Sequence, residues 1–207
     1  MDDHRDFPTP DLAELVGSRL CHDLVNPISA ISNGLELLAL SGAVPTPEIE
    51  LIGDAVRDAL ARIRFFRIAF GAARPGETIS ARETREILAE IYGASRLDVR
   101  WQIDEDLPRA DTKLGFLLLN TAETAFPLGG TLGISRGASG WMLEANGRKM
   151  SVEDANWQAL ITPGLATSPP PARVQFALLT QEVAIRDAAL SVTMDTDALC
   201  LAMAVSA

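Results

Sequence analysis

Apolar positions in the first third of the chain keep a helical rhythm. Leu24, Ile28, Ile31, Leu35 and Leu38 recur with alternating steps of four and three, and Ile52, Val56, Ala59, Ile63, Phe66 and Phe70 repeat that spacing after a short break. This pattern predicts two long helices across residues 9–70, each burying one coiled-coil-like face against other helices. Thr9-Pro10 and Thr46-Pro47 each offer a capping hydroxyl followed by a proline suited to the first helical position. Ser41-Gly42 supplies a stop, and Ala43 to Pro45 completes a connection short enough to make the helices antiparallel neighbours. Two helices cannot enclose two such seams, so two hairpins are expected to pair as a dimeric four-helix bundle. Leu24, Ile28, Ile31, Leu35, Ile52, Val56, Ile63 and Phe66 would form that homodimer interface. The alternative is that the seam packs on the rest of the same chain.

The run Gly71-Ala-Ala-Arg-Pro-Gly76 breaks the helical pattern and divides the chain into a polar tail (1–8), a helical hairpin (9–72) and a second domain (77–207). In that second domain Glu77 to Ile79 suits a short strand, and Ser80 with Glu83 forms a capping box for a helix ending near Tyr92-Gly93. Leu97, Val99, Trp101 and Ile103 alternate as a half-buried strand does. A helix over 113–126, strands over 131–136 and 141–146, and a helix start at Ser151 with Asp154 follow. A proline-rich loop over 163–171, a helix over 173–187 and strands over 190–194 and 199–205 complete the chain. Helices interleaved with runs of strands predict a two-layer α/β sandwich. Trp101, Trp141 and Trp157 are assigned to packing.

Composition narrows the function. Of 207 residues, 28 are acidic and 18 basic, a net charge of −10, which disfavours nucleic-acid and anionic-membrane surfaces. Charged residues interrupt every stretch long enough to span a membrane. The opening Met-Asp-Asp-His-Arg-Asp is unlike a secretory signal. Two cysteines, Cys21 and Cys200, fit a reducing cytoplasm and not a disulfide scaffold. Two histidines and no Cys/His cluster leave little for a zinc site.

One of those histidines lies in a distinctive setting. His22 sits in Arg19-Leu-Cys-His-Asp-Leu-Val-Asn-Pro27, and His22, Asn26, Ser29, Asn33 and Glu36 fall on one helical stripe nearly opposite the apolar seam. The imidazole should project to solvent, with an acid beside it, an amide one turn on, and Pro27 removing a backbone donor at the next position. A neutral imidazole is nucleophilic near pH 7, and the phosphoramidate it forms can hand its phosphoryl group onward. Asp23 could hold the other ring nitrogen and Asn26 could steady phosphoryl oxygens. His4, in the polar tail, is a poor rival.

The run His22-Asp-Leu-Val-Asn-Pro27 resembles the H-box of two-component histidine kinases. The wider segment from Ser18 to Leu38 is similar to ChpT-type histidine phosphotransferases, intermediates in alphaproteobacterial cell-cycle phosphorelays. The resemblance implies a dimeric hairpin domain followed by a degenerate kinase-like ATPase domain, with His22 as phosphoacceptor and Asp23 and Asn26 assisting. It implies as partners the receiver domain of a hybrid histidine kinase as donor and response regulators as acceptors. Such receivers typically dock along the bundle, which makes Ser29, Ser32, Asn33 and Glu36 plausible contacts. No cofactor is expected on this chain; Mg2+ would come with the receiver. Arg57, Arg62, Arg64 and Arg67 could reach an acidic partner, although a solvated helix face accounts for most of them.

The second domain shows where nucleotide binding is expected to be lost. Leu117 to Thr131 resembles the kinase N-box and its glycine turn; registered on Pro127 and Gly129-Gly130, Thr121 and Leu117 stand where two asparagines belong, with Asn120 one position off. Leu143 to Met150 resembles the strand and loop of the adenine-binding Asp-x-Gly-x-Gly motif, with Ala145 in place of the aspartate and Lys149 in place of the second glycine. The loop before residue 174 lacks phosphate-cradling glycines. The expected function is phosphoryl transfer without ATP; the alternatives are a divergent ATP-using kinase core and a non-catalytic dimeric adaptor for receivers.

Overall fold

A computed structural model describes residues 12–41, 46–152, 154–162, 165 and 168–204. His4, the Thr9-Pro10 start signal and the connection at 42–45 lie outside those residues. The chain divides between Ala73 and Arg74 into two compact units.

The first unit is a pair of helices, α1 (Leu12–Leu40) and α2 (Pro47–Ala69). Helix α1 continues through Pro27 without interruption. Thr46 caps α2 as its sequence indicates, its hydroxyl accepting from the Ile49 N–H at 3.4 Å with Pro47 in the first turn. The apolar seam of α1 resolves into two edges. Ile28 and Leu35, seven residues apart, are half-buried, whereas Leu24, Ile31 and Leu38, also seven apart, remain 50%, 51% and 48% exposed. On α2 the seam is not uniformly open: Ile52 is exposed, Val56 and Phe66 are half-buried, and Ile63 is already buried. Phe66 stacks on Phe70 with ring centroids 5.0 Å apart.

The second unit is a mixed sheet covered by helices. In chain order it comprises β1 (Thr78–Ile79), α3 (Ala81–Tyr92), β2 (Leu97–Trp101), β3 (Leu107–Pro108) and α4 (Arg109–Glu123). There follow β4 (Gly130–Gly137), β5 (Gly140–Gly147), α5 (Ala155–Ile161), α6 (Val174–Ile185), β6 (Ala189–Met194) and β7 (Ala198–Ala204). The five-stranded sheet runs β2-β4-β5-β7-β6, with β2 parallel to β4 and the other neighbours antiparallel. Burial alternates along β5 and β7, so Trp141, Leu143, Ala145, Leu199, Leu201 and Met203 turn inward, as a sheet with one covered face requires. Trp101 meets Phe116 and Trp141 edge-on, and Trp157 meets Phe176, which makes all three tryptophans packing residues.

Several boundaries differ from the sequence expectation for local reasons. Helix α4 starts at Arg109, right after Pro108, and stops at Glu123; the amides of Thr124, Ala125 and Phe126 bond three residues back, tightening the expected last turn out of α-geometry. Helix α5 is capped by Asp154 and not by Ser151: the Asp154 Oδ1 accepts from the amides of Asn156 and Trp157 at 2.9 and 3.1 Å. Strand β2 ends at Trp101, two residues before Ile103. Strand β3, paired with β1, went unanticipated, since two residues ending in proline carry no readable period. Ser80 caps α3 through the Glu83 amide at 3.0 Å as its capping box indicates.

Charged side chains tie α4 to α6. The Lys113 Nζ lies 2.9 Å from Glu182, and the Arg186 guanidinium donates to Asp111 at 2.7 Å and to the Ala110 carbonyl at 2.7 Å. Arg136 on β4 adds bonds to Asp111 and Glu105, both at 3.1 Å. Lys113 is 2% exposed, a burial that a charged lysine tolerates only when paired.

Candidate phosphoacceptor site

Helix α1 presents Arg19, His22, Asp23 and Asn26 at positions i, i+3, i+4 and i+7, a spacing that gathers four side chains into one surface patch. The His22 side chain is 69% exposed. Its Nδ1 lies 3.2 Å from the Asp23 Oδ1, while the other Asp23 oxygen accepts from the Arg19 Nε at 2.8 Å. The hydrogen bond with His22 is the main cause holding the Asp23 carboxyl below its usual pKa, with Arg19 adding to it. An ionised carboxylate can only accept, so in a neutral imidazole this contact favours the tautomer with the proton on Nδ1 and the lone pair on Nε2. Pro27 lacks the amide that would have bonded the Asp23 carbonyl, which leaves that carbonyl without its helical donor.

Of the other stripe positions, Asn26, Asn33 and Glu36 are exposed and Ser29 is half-buried, so the polar face stands as its spacing indicates. Ser32 and Glu36 do more than lie on a surface. With Leu35 they line one wall of a groove of about 560 Å³ between α1 and α2, opposite Gly53, Asp54 and Arg57. Two of the α2 arginines are matched on their own helix: Arg57 pairs with Asp54, and Arg62 with Asp58 at 3.0 Å. Beside the histidine, burial raises the Cys21 thiol above its ordinary pKa, with Arg67 opposing. Arg19 lies one turn before the stripe that begins at His22, outside the residues the polar spacing singles out. Its i,i+4 relation to Asp23 is the signal that points to it.

In the second unit Thr121 and Leu117 are fully buried; Asn120, Glu123 and Thr124 form the half-exposed side of that end of α4. Ala145 points inward from β5 at 3% exposure, and Lys149 is exposed beyond the strand. The glycines that resemble a nucleotide turn serve packing here. Gly129 has φ +93°, a left-handed conformation, and a Cβ there would strike the Arg96 carbonyl. A Cβ on Gly147 would come within 2.6 Å of the Phe126 ring.

Among the described residues no cluster of His, Cys, Asp and Glu could hold a metal ion, and no helix is long and apolar enough to cross a membrane. Residues 81–198 match the family described as the histidine phosphotransferase C-terminal domain. The chain is 37% identical to protein phosphotransferase ChpT of Brucella abortus (strain 2308), over 60% of this chain and 60% of that protein. A solved bacterial phosphotransferase is similar at 27% identity and a TM-score of 0.66, covering 90% of this chain and 92% of the other.

Proposed function

This chain belongs to the histidine phosphotransferase family, and from that premise we propose that it relays a phosphoryl group between the aspartates of two receiver domains through Nε2 of His22. The observation that carries this reading is the exposed imidazole whose Nδ1 is held 3.2 Å from the Asp23 carboxylate, which leaves Nε2 as the free nucleophile. In the accepting step the Nε2 lone pair attacks phosphorus, and the bond to the donor aspartate breaks with its electrons returning to that carboxylate. The phosphorylated ring keeps its Nδ1 proton and a positive charge, which Asp23 offsets. The donating step runs the same displacement in reverse, onto the second receiver. Alignment and charge neutralisation supply most of the catalysis of phosphoryl transfer; Asn26, one turn on, is placed to steady phosphoryl oxygens, and Mg2+ arrives with the receiver.

The donor is the receiver of a hybrid histidine kinase and the acceptors are response regulators, which locates the protein in the cytoplasm. Ser29, Ser32, Asn33 and Glu36 are their contacts on α1. The protein acts as a homodimer, a reading supported by the open apolar edge of Leu24, Ile31, Leu38 and Ile52. The second unit works without ATP, as the buried Ala145 and the exposed Lys149 favour.

The test mixes the purified full-length protein with phosphorylated receiver domains. Acid-labile, base-stable label is expected on the wild type and is absent from His22→Ala. Binding of receivers without any transfer of label would replace the carrier by an adaptor, and label gained from Mg-ATP alone would replace it by a kinase.

A further inference from the structure

We propose that Arg19 is a positioning residue for His22, acting through Asp23; this rests on the phosphotransfer reading above. The Asp23 carboxylate is used at both ends: Oδ2 takes the Arg19 Nε–H at 2.8 Å and Oδ1 meets the His22 Nδ1 at 3.2 Å. An aspartate side chain on an exposed helix surface ordinarily samples several rotamers. A guanidinium one turn back, bonded to one oxygen, selects the rotamer that aims the other oxygen at the neighbouring ring.

Two consequences follow for the nucleophile. A free histidine side chain prefers its proton on Nε2, which would block attack from that atom; an acceptor fixed at Nδ1 draws the proton there instead. A bare carboxylate next to the nucleophile would also repel the incoming phosphoryl anion. The positive charge of Arg19, shared with Asp23, lowers that repulsion without touching the reacting atoms. A surface ion pair at this spacing contributes little to stability, and Arg19 and Asp23 are 75% and 47% exposed, so the pair has little to do for the fold.

The experiment is a double-substitution cycle on the full-length protein, with Arg19→Ala, Asp23→Asn and the pair combined. Two quantities are read: the His22 tautomer ratio by nitrogen-15 NMR, and the rate of phosphoryl acceptance from a phosphorylated receiver. Arg19→Ala is expected to shift the tautomer toward Nε2–H and to slow acceptance about tenfold, one decade corresponding to a single modest hydrogen bond. The combined variant is expected to be no slower than Asp23→Asn alone, since the two residues act in series. Circular dichroism and light scattering should match the wild type.

A slower rate with an unchanged tautomer would make Arg19 a receiver contact and overturn the proposal. A shifted tautomer with an unchanged rate would overturn it equally, as would full additivity in the cycle. A wild-type protein inert toward every receiver sinks the phosphotransfer reading and with it the catalytic part of this one. The link from Arg19 to the imidazole is then still decided, one way or the other, by the tautomer ratio.

Discussion

Among single side chains, Lys113 is the one whose loss the fold should feel most. Its side chain is 2% exposed, and that of Glu182, 11% exposed, lies 2.9 Å away. Removing one partner of a buried pair leaves the other charge desolvated and unmatched, typically a cost of about 3 to 5 kcal/mol. Here Arg186, 3.3 Å from the other Glu182 oxygen, keeps part of the compensation, which places the cost of Lys113→Met nearer the lower limit, about 3 kcal/mol. Urea denaturation of the full chain reads it directly. Adding Glu182→Gln to Lys113→Met should recover part of the loss, because it removes the stranded charge; a double variant less stable than the single one would show that the pair is not the origin of the effect. His22 works by the opposite logic. It is exposed and its neighbours are exposed, so His22→Ala should abolish transfer and leave the urea midpoint where it was.

At the level of elements, the two edges of the α1 seam make different demands. Leu24 is half-exposed, so a charge there remains solvated in a single chain and becomes costly only when a second copy covers it. Leu24→Glu is therefore expected to halve the molar mass seen by light scattering while helicity is retained. Ile63 is already buried within the chain, so Ile63→Glu should unfold or strongly destabilise the protein whatever its oligomeric state. An unchanged mass for Leu24→Glu would place the dimer contact elsewhere. The seam itself was legible in the sequence, because a four-three repeat fixes a stripe; which edge meets its own hairpin depends on the rotation of α1 against α2, which the repeat does not encode. The same limit applies to α4. Residues 112 to 119 are all buried, so no polar face marks its rotational phase, and Thr121 turned out to be interior although motif spacing placed it in a nucleotide site. Of the candidate phosphoacceptor patch, His22, Asp23 and Asn26 were legible because they lie within five residues of one helix, whereas Arg19, one turn earlier, was not. The buried network of Lys113, Glu182, Arg186 and Asp111 was not, since its members are up to 75 positions apart.

For the molecule as a whole, the proposal to test is that the second unit binds no nucleotide. The residues at the positions that resemble the kinase motifs take part in packing. Ala145 lies on the inward face of β5 beside Leu143 and is 3% exposed, so its side chain is part of an apolar interior. Ala145→Asp should consequently cost several kcal/mol by burying an unpaired carboxylate, without creating a nucleotide site. Binding of a ligand to the folded state adds RT ln(1 + [L]/Kd), about 4 kcal/mol at a thousand times Kd. Millimolar Mg-ATP on a site of micromolar affinity would thus raise the melting temperature by well over 5 °C for a chain of this size. The wild type is expected to show no such shift, and Ala145→Asp is expected to melt lower with and without nucleotide. A clear upward shift in the wild type would mean that the half-exposed side of α4, carrying Asn120, still holds a metal-nucleotide complex, and that the phosphoryl group on His22 can come from ATP.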